Sequence, residues 1–407
     1  LEDIMSSLLK AARLTSITLG ITLALVEMGS AQLANGAAAV TGGPSGPASA
    51  SGPVGPGLSR LPTTTPSVVP YATSGGTPVA TDKAGASTDT GVGSDAYGLS
   101  ASFKWPYTIA RVAVTGAPFN TTNGALVPVA SRPYRFSGKL WMRFGSSWYV
   151  CTASLIKKGV LITAAHCVHN YGQQASGWAN EVRWYPANYA AGGGPWGYYQ
   201  GVGWRIPTVY YNGTDTCQSG AIGVVCNNDI ATVTLAPKSG VYAGNALGGW
   251  YGYGWNGYSY LATPVFGNAT VAQITQIGYP VAIDNGYQML RGDSYGKYIA
   301  MTGANGKLLK NTQLGSAMTG GSSGGPWLVN FGTAPAVTGS ASLGNAANRN
   351  IVVGTTSWGY TSVGINVQGA SWFGQNAEFP GANYNGRGAG NIGFMVNYTC
   401  TGAPAYC

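Results

Sequence analysis

An all-β fold is the expectation for this chain, on three observations. Only 8% of its 407 residues are charged while 64 are glycine, which leaves too few polar faces for amphipathic helices and many turn formers. Twenty-five Tyr and 12 Trp supply the large side chains that strand faces favour. Gly and Asn clusters recur between short apolar runs and mark turns.

Taken in order, Lys10 and Arg13 precede an apolar run over 14–26 that Glu27 ends, and Gly29-Ser30-Ala31 follows as a small-residue cleavage site. Residues 1–31 therefore read as a secretory signal peptide. The run is shorter than the roughly 20 apolar residues that span a bilayer, so no stable membrane anchor is expected. Residues 32–100 are mostly Ala, Gly, Ser, Thr and Pro, a composition that cannot bury enough surface to offset ordering. This stretch is expected to be a disordered prosegment or linker. Strand-like alternation returns over 103–114, so 101–132 is either the end of the prosegment or an N-terminal strand of the domain. The composition change over 100–133 predicts that the prosegment is removed.

The folded domain is assigned to 133–407. Runs at 139–144, 148–156 and 160–165, broken by Gly145-Ser146-Ser147 and Lys157-Lys158-Gly159, predict a three-strand meander. Residues 170–228 carry few periodic cues. Asp229 stands at the entrance of a strand over 230–235. More strands are expected at 271–278, 326–329, 351–358 and 392–398, and no long helix, the C-terminus included.

The six cysteines fall as sequence-close pairs, Cys151 with Cys167, Cys217 with Cys226 and Cys400 with Cys407. Fifteen connectivities exist for six, and local pairing is the choice made among them. Cys-x-x-Cys and zinc-type His/Cys spacing are absent, which favours an oxidised, exported protein with no metal and no cofactor. The net charge of +9 is spread over mostly single Lys and Arg, so no nucleic-acid partner is expected.

The chemistry concentrates in Met318-Thr319-Gly320-Gly321-Ser322-Ser323-Gly324-Gly325-Pro326, where glycines on both sides of Ser323 let bare backbone amides approach a reacting carbonyl. A serine hydroxyl needs a base to take its proton and donors for the oxyanion. Only two histidines exist, His166 and His169. His166 closes the run Leu161-Ile162-Thr163-Ala164-Ala165-His166-Cys167, beyond a strand that could present it. His169 lacks an orienting motif and is expected at the surface.

With Thr163-Ala164-Ala165-His166-Cys167, Asp229-Ile230-Ala231, Gly321-Ser322-Ser323-Gly324-Gly325-Pro326 and Ser357-Trp358-Gly359 in this order, the chain resembles the chymotrypsin-like (trypsin-like) serine proteases over about residues 133–400. The resemblance implies two six-stranded Greek-key antiparallel β-barrels. It also implies a secreted, monomeric endopeptidase acting on protein or peptide substrates. His166 would be the base, Asp229 its orienter, Ser323 the nucleophile, and the N–H groups of Gly321 and Ser323 the oxyanion hole. Ser357, Trp358 and Gly359 would pair with substrate backbone, and Ala317, Met318 and Thr356 would line the specificity pocket.

Two departures matter. Ser322 stands where animal digestive members carry an aspartate that receives a new N-terminal ammonium, an aspartate that secreted bacterial members also lack. Ile274-Thr275-Gln276-Ile277-Gly278-Tyr279-Pro280 is similar to a strand of the bacterial glutamyl endopeptidases, but Thr356 replaces their specificity histidine. With Ala317 and Met318 uncharged, apolar or small side chains are the expected preference. The rival expectation is an idle protease-like protein that binds partners or sits at a cell surface.

Overall fold

The structure, a computed structural model, describes residues 39–42 (backbone only), 105–112, 129–189, 193–218, 223–332, 348–359 and 366–407. The expected signal peptide, and all of the expected disordered stretch but 39–42, lie outside the described residues.

Two sheets close into barrels. The first contains β1 (Ala39–Gly42), β3 (Ser137–Phe144), β4 (Ser147–Lys157), β5 (Val160–Thr163), β6 (Glu181–Pro186), β7 (Tyr199–Pro207) and β8 (Ala231–Leu235). Its order is β1-β7-β6-β3-β4-β5-β8, and a β7–β8 pairing closes six of these strands, with β1 added against β7. The second contains β2 (Tyr107–Arg111), β9 (Gly252–Tyr253), β10 (Leu261–Thr263), β11 (Ala269–Gly278), β12 (Leu290–Thr302), β13 (Leu308–Gly315), β14 (Pro326–Val329), β15 (Ile351–Gly359) and β16 (Val367–Ser371). There β11-β14-β15-β16-β13-β12 is closed by β11–β12, and β2 lies against β12. The six closed strands of each barrel follow the same Greek-key order, so the all-β, two-barrel expectation holds.

The low charge fraction has a direct structural counterpart in β3, which is buried on both faces. Leu140 and Met142 enter the core of the first barrel with Leu155, Ile162, Val182, Trp184 and Trp204. The alternate residues Lys139 and Trp141 point the other way yet are also buried, and Trp141 packs with Val150, Tyr185 and Val281. The second barrel has a smaller apolar cluster around Ile274, Leu314, Trp327 and Val353.

Three local expectations are corrected. Gly390–Gly402 is a helix, α3, following the one-turn helices α1 (Thr208–Asn212) and α2 (Ala243–Leu247), so neither the strand at 392–398 nor the helix-free C-terminus stands. Its buried Ile392, Met395, Val396 and Thr399 fall at helical spacing, a period that the aromatic and β-branched content of the segment masks. The region 170–228, read as poor in cues, contains β6 and β7. All six residues of β6 are buried, and the alternating Glu181 and Arg183 pair with each other at 2.7 Å rather than facing solvent. His169 is fully buried rather than exposed, against Trp178 at a centroid distance of 4.5 Å and Tyr211 at 5.3 Å.

The three disulfides join Cys151 to Cys167, Cys217 to Cys226 and Cys400 to Cys407, the local pairing expected. Among the described residues no helix is long and apolar enough to cross a membrane.

Candidate active site

β5 ends at Thr163, and the short turn after it carries His166, which the Cys151–Cys167 bond ties back to β4. Asp229 stands two residues before β8, the strand beside β5, so the pairing of Thr163 with Ala231 brings the two together. Both are fully buried. The backbone N–H of His166 donates to Asp229 Oδ1 at 2.9 Å, and His166 Nδ1 lies 2.7 Å from Asp229 Oδ2. An ionised carboxylate only accepts, so Nδ1 carries the proton and Nε2 is left with its lone pair. Ser357 Oγ approaches the same Oδ2 at 2.5 Å, and the Asp229 N–H donates to Ser371 Oγ at 3.0 Å.

Asp229 is the last residue of a wholly buried polar turn. Asn228 donates from its N–H and Nδ2 to the Asp215 carboxylate at 2.9 and 2.7 Å, and Asn227 Nδ2 donates to Glu378 Oε2 at 2.9 Å. Burial, with the charge of Glu378 added, pushes the Asp215 carboxyl well above the usual carboxylate range.

Ser323 comes from the loop before β14. A Cβ on Gly324 would fall 2.0 Å from Thr163 Oγ1 and 3.0 Å from the Ala164 nitrogen, so this loop lies against the strand end that leads into His166. Only glycine permits that approach, and its φ of 75° is left-handed. Gly321, with φ 93°, is similarly confined, since a Cβ there would meet Tyr279 O at 2.6 Å.

Carbonyl anchors orient the loop. Val281 N–H donates to Gly320 O at 2.9 Å, and Gly325 N–H to Ser322 O at 2.9 Å. In a trans peptide the N–H points opposite to the C=O, so these bonds turn the amides of Gly321 and Ser323 away from their anchors. Neither amide donates to an acceptor among the described residues. Thr152 fastens the loop to the first barrel, through its N–H to Ser323 O at 2.7 Å and its Oγ1 to Gly321 O at 2.9 Å.

The remaining expected site residues divide. Thr356 is buried, accepting from Gln276 Nε2 at 2.9 Å and Trp327 Nε1 at 3.0 Å. Ser357 turns its hydroxyl to Asp229, and Trp358 is buried with Nε1 donating to Asn311 Oδ1 at 2.9 Å. β14 pairs with β15 only as far as Thr355, so beyond it that side of Ser357–Gly359 carries no strand among the described residues. Met318 turns its sulfur toward Gly278, and Ala317 is half-exposed.

Gln276, Ser316 and Gln368 were not foreseen. Gln276 Nε2 donates to Gln368 Oε1 at 2.6 Å, Ser316 Oγ to Gln276 Oε1 at 2.7 Å, and Gln368 Nε2 to Ser322 Oγ at 3.0 Å. Gln276 sits inside the stretch singled out before Gly278-Tyr279-Pro280, but nothing local announces partners 40 to 92 residues away. Thr152, next to Cys151, was also missed. Two groups have the residue types of a metal site, Cys151/His166/Cys167 and Asp215/Cys217/Cys226, but their sulfurs are bound in disulfides.

Residues 126–239, which hold the whole run from β3 to β8 with His166 and Asp229, match the Trypsin family model. Over these residues, which make up the first barrel, the chain is similar to the trypsin family. Among solved structures, a thermostable serine protease, AL20, from an extremophilic microorganism is 22% identical, covering 59% of this chain and 92% of its own at a TM-score of 0.40. The protease Anisep from Arthrobacter nicotinovorans is 20% identical, with 59% and 91% covered and a TM-score of 0.42. A Glu endopeptidase is 15% identical, with 68% and 94% covered and a TM-score of 0.40. No curated protein matches the chain.

Proposed function

We propose that the protein is a secreted serine endopeptidase that cleaves peptide bonds through an acyl-enzyme on Ser323. The observation that carries this reading is the buried His166–Asp229 pair, with Nδ1 facing Oδ2 at 2.7 Å, beside a serine loop whose Gly321 and Ser323 amides are unspent. Asp229 holds the tautomer that leaves Nε2 basic. His166 takes the Ser323 proton as Oγ attacks the scissile carbonyl, then delivers it to the departing amine. Water repeats the sequence on the acyl group. The two amides stabilise the oxyanion in each tetrahedral intermediate, where loss of one donor costs about 2.7 to 4 kcal/mol.

The open side of Ser357–Gly359 suits pairing with an extended substrate backbone. Gln276, Ser316, Thr356 and Gln368 form a neutral polar network at this end of the barrel, next to Ser322. No fixed charge stands among them to receive Lys, Arg or Glu, which supports uncharged side chains as the residues preceding the cleaved bond. Export is supported by the three disulfides.

A fluorophosphonate probe tests the reading. Purified protein is expected to label on Ser323, and His166→Ala to abolish labelling. Protein that stays unlabelled, with His166→Ala making no difference, sinks it in favour of an idle protease-like protein.

A further inference from the structure

We infer that the N-terminal strand β2 is a working part of the active enzyme, in which Arg111, through Asp284, positions the turn that orients the Gly321 oxyanion donor. The inference rests on the endopeptidase reading above and goes beyond it, because it assigns a task to a segment far upstream of the catalytic residues.

The connection runs through residues 279–289. Val281 N–H fixes Gly320 O and so the direction of the Gly321 amide. Three residues on, Asp284, Asn285 and Gly286 adopt φ values of 53°, 54° and 64°, three successive residues in the left-handed region. Asp, Asn and Gly tolerate that region best, but a run of three needs external support. Support comes from two basic side chains, Lys139 and Arg111. Lys139 of β3, fully buried, donates from Nζ to Gly286 O at 2.7 Å and is flanked by the Trp141 and Tyr287 rings at 4.8 and 4.7 Å. Arg111, the last residue of β2, forms a two-pronged contact with Asp284, Nε to Oδ2 at 2.5 Å and an Nη to Oδ1 at 3.0 Å.

β2 is itself well secured. It pairs with β12 over five residues, from Leu290 opposite Arg111 to Ser294 opposite Tyr107. Val112 N–H donates to Met289 O at 2.9 Å. At its other end Ser294 Oγ donates to Pro106 O at 2.7 Å and accepts from Gly315 N–H at 3.1 Å, just ahead of Ser316-Ala317-Met318. Tyr107 OH accepts from Asn366 Nδ2 at 2.8 Å, immediately before β16 and Gln368. One strand thus braces the oxyanion turn with Arg111 and the expected pocket segments with Pro106 and Tyr107. Maturation must therefore leave residues 105–112 attached, or bound as a separate peptide.

Arg111 is a positioning residue and, being largely exposed, a modest one. Acylation of the processed, secreted protein by p-nitrophenyl acetate, a small ester that makes little use of the pocket, reads its effect. Arg111→Ala and Asp284→Asn are each expected to slow acylation about two- to fivefold at unchanged KM. The double variant should lose no more than either single, and the exchange Arg111→Asp with Asp284→Arg should recover most of the rate. Equal rates for Arg111→Ala and wild type, or additive losses in the double variant, overturn the inference alone. A wild type that the ester never acylates overturns the enzyme reading together with it. N-terminal sequencing and mass analysis of active protein give a second test, since an active preparation without residues 105–112 defeats the brace whatever the variants do.

Discussion

The two barrels share one strand order but hold their proposed catalytic residues by different means. In the first, His166 and Asp229 lie at zero exposure beside the ends of adjoining strands, Asp229 in a buried polar turn, and a disulfide clamps the histidine turn. In the second, Ser323 sits in a loop that cannot be packed with side chains, because Gly321 and Gly324 must let backbone approach backbone. Hydrogen bonds from Thr152, Val281 and Gly325 to its carbonyls do the fixing instead. The contrast fits the chemistry proposed for each half. A base needs one imidazole orientation, which packing and a carboxylate supply, whereas an oxyanion hole needs bare amides, which exclude the side chains that packing would use.

The contrast is open to breakage at three places, of decreasing effect. Asp229→Asn should leave the first barrel folded but remove the acceptor that fixes the His166 tautomer, lowering kcat by about 10⁴-fold. Steady-state hydrolysis by a variant with an unchanged melting temperature checks it, and a loss of tenfold or less would mean that the tautomer is set by something else. Gln368→Leu attacks the hydrogen-bonded interior of the second barrel, leaving Gln276, Ser316 and Ser322 short of partners. It should cost about 1–3 kcal/mol in urea unfolding. A neutral outcome would show that packing, not the amide network, supports this end of the barrel.

The smallest effect concerns His169 in the first barrel. Burial lowers its pKa from 6.5 to about 4, the bond to Gln174 O opposing the shift in part. The unfolded chain then takes up a proton at a pH where the folded chain does not, so this contribution is complete above about pH 6.5 and is lost as pH falls toward 4. The slope is at most about 1.4 kcal/mol per pH unit. Melting curves across that window should be flatter for His169→Gln than for wild type, and equal slopes would show that the buried imidazole is not the acid-sensitive group.

Much of the domain was legible because its signals are local. The hairpins around Gly145-Ser146-Ser147 and Lys157-Lys158-Gly159 follow from turn residues between apolar runs. The disulfides follow from short separations. β6 escaped because it is a short segment whose charged residues, Glu181 and Arg183, pair with each other in the interior, and α3 because its aromatic and β-branched content masks a helical period. His169 escaped because the Trp178 and Tyr211 rings that bury it are assembled by the loop beyond β5 and by α1.

By itself, the sequence determined which residue types could serve as nucleophile, base and orienter, since a glycine-flanked serine, two histidines and one aspartate at a strand entrance leave few choices. It also determined the all-β class, through composition and turn chemistry. Tertiary structure alone decided which way the amides of Gly321 and Ser323 point, that Ser357 turns its hydroxyl to Asp229, that Gln276 and Gln368 meet, and that Arg111 reaches Asp284 across 173 residues. Apart from the local Gly325–Ser322 bond behind the Ser323 amide, each of these depends on hydrogen bonds between segments far apart in the chain. A residue's neighbours in sequence carry no record of such partners, because the geometry exists only once both barrels have closed.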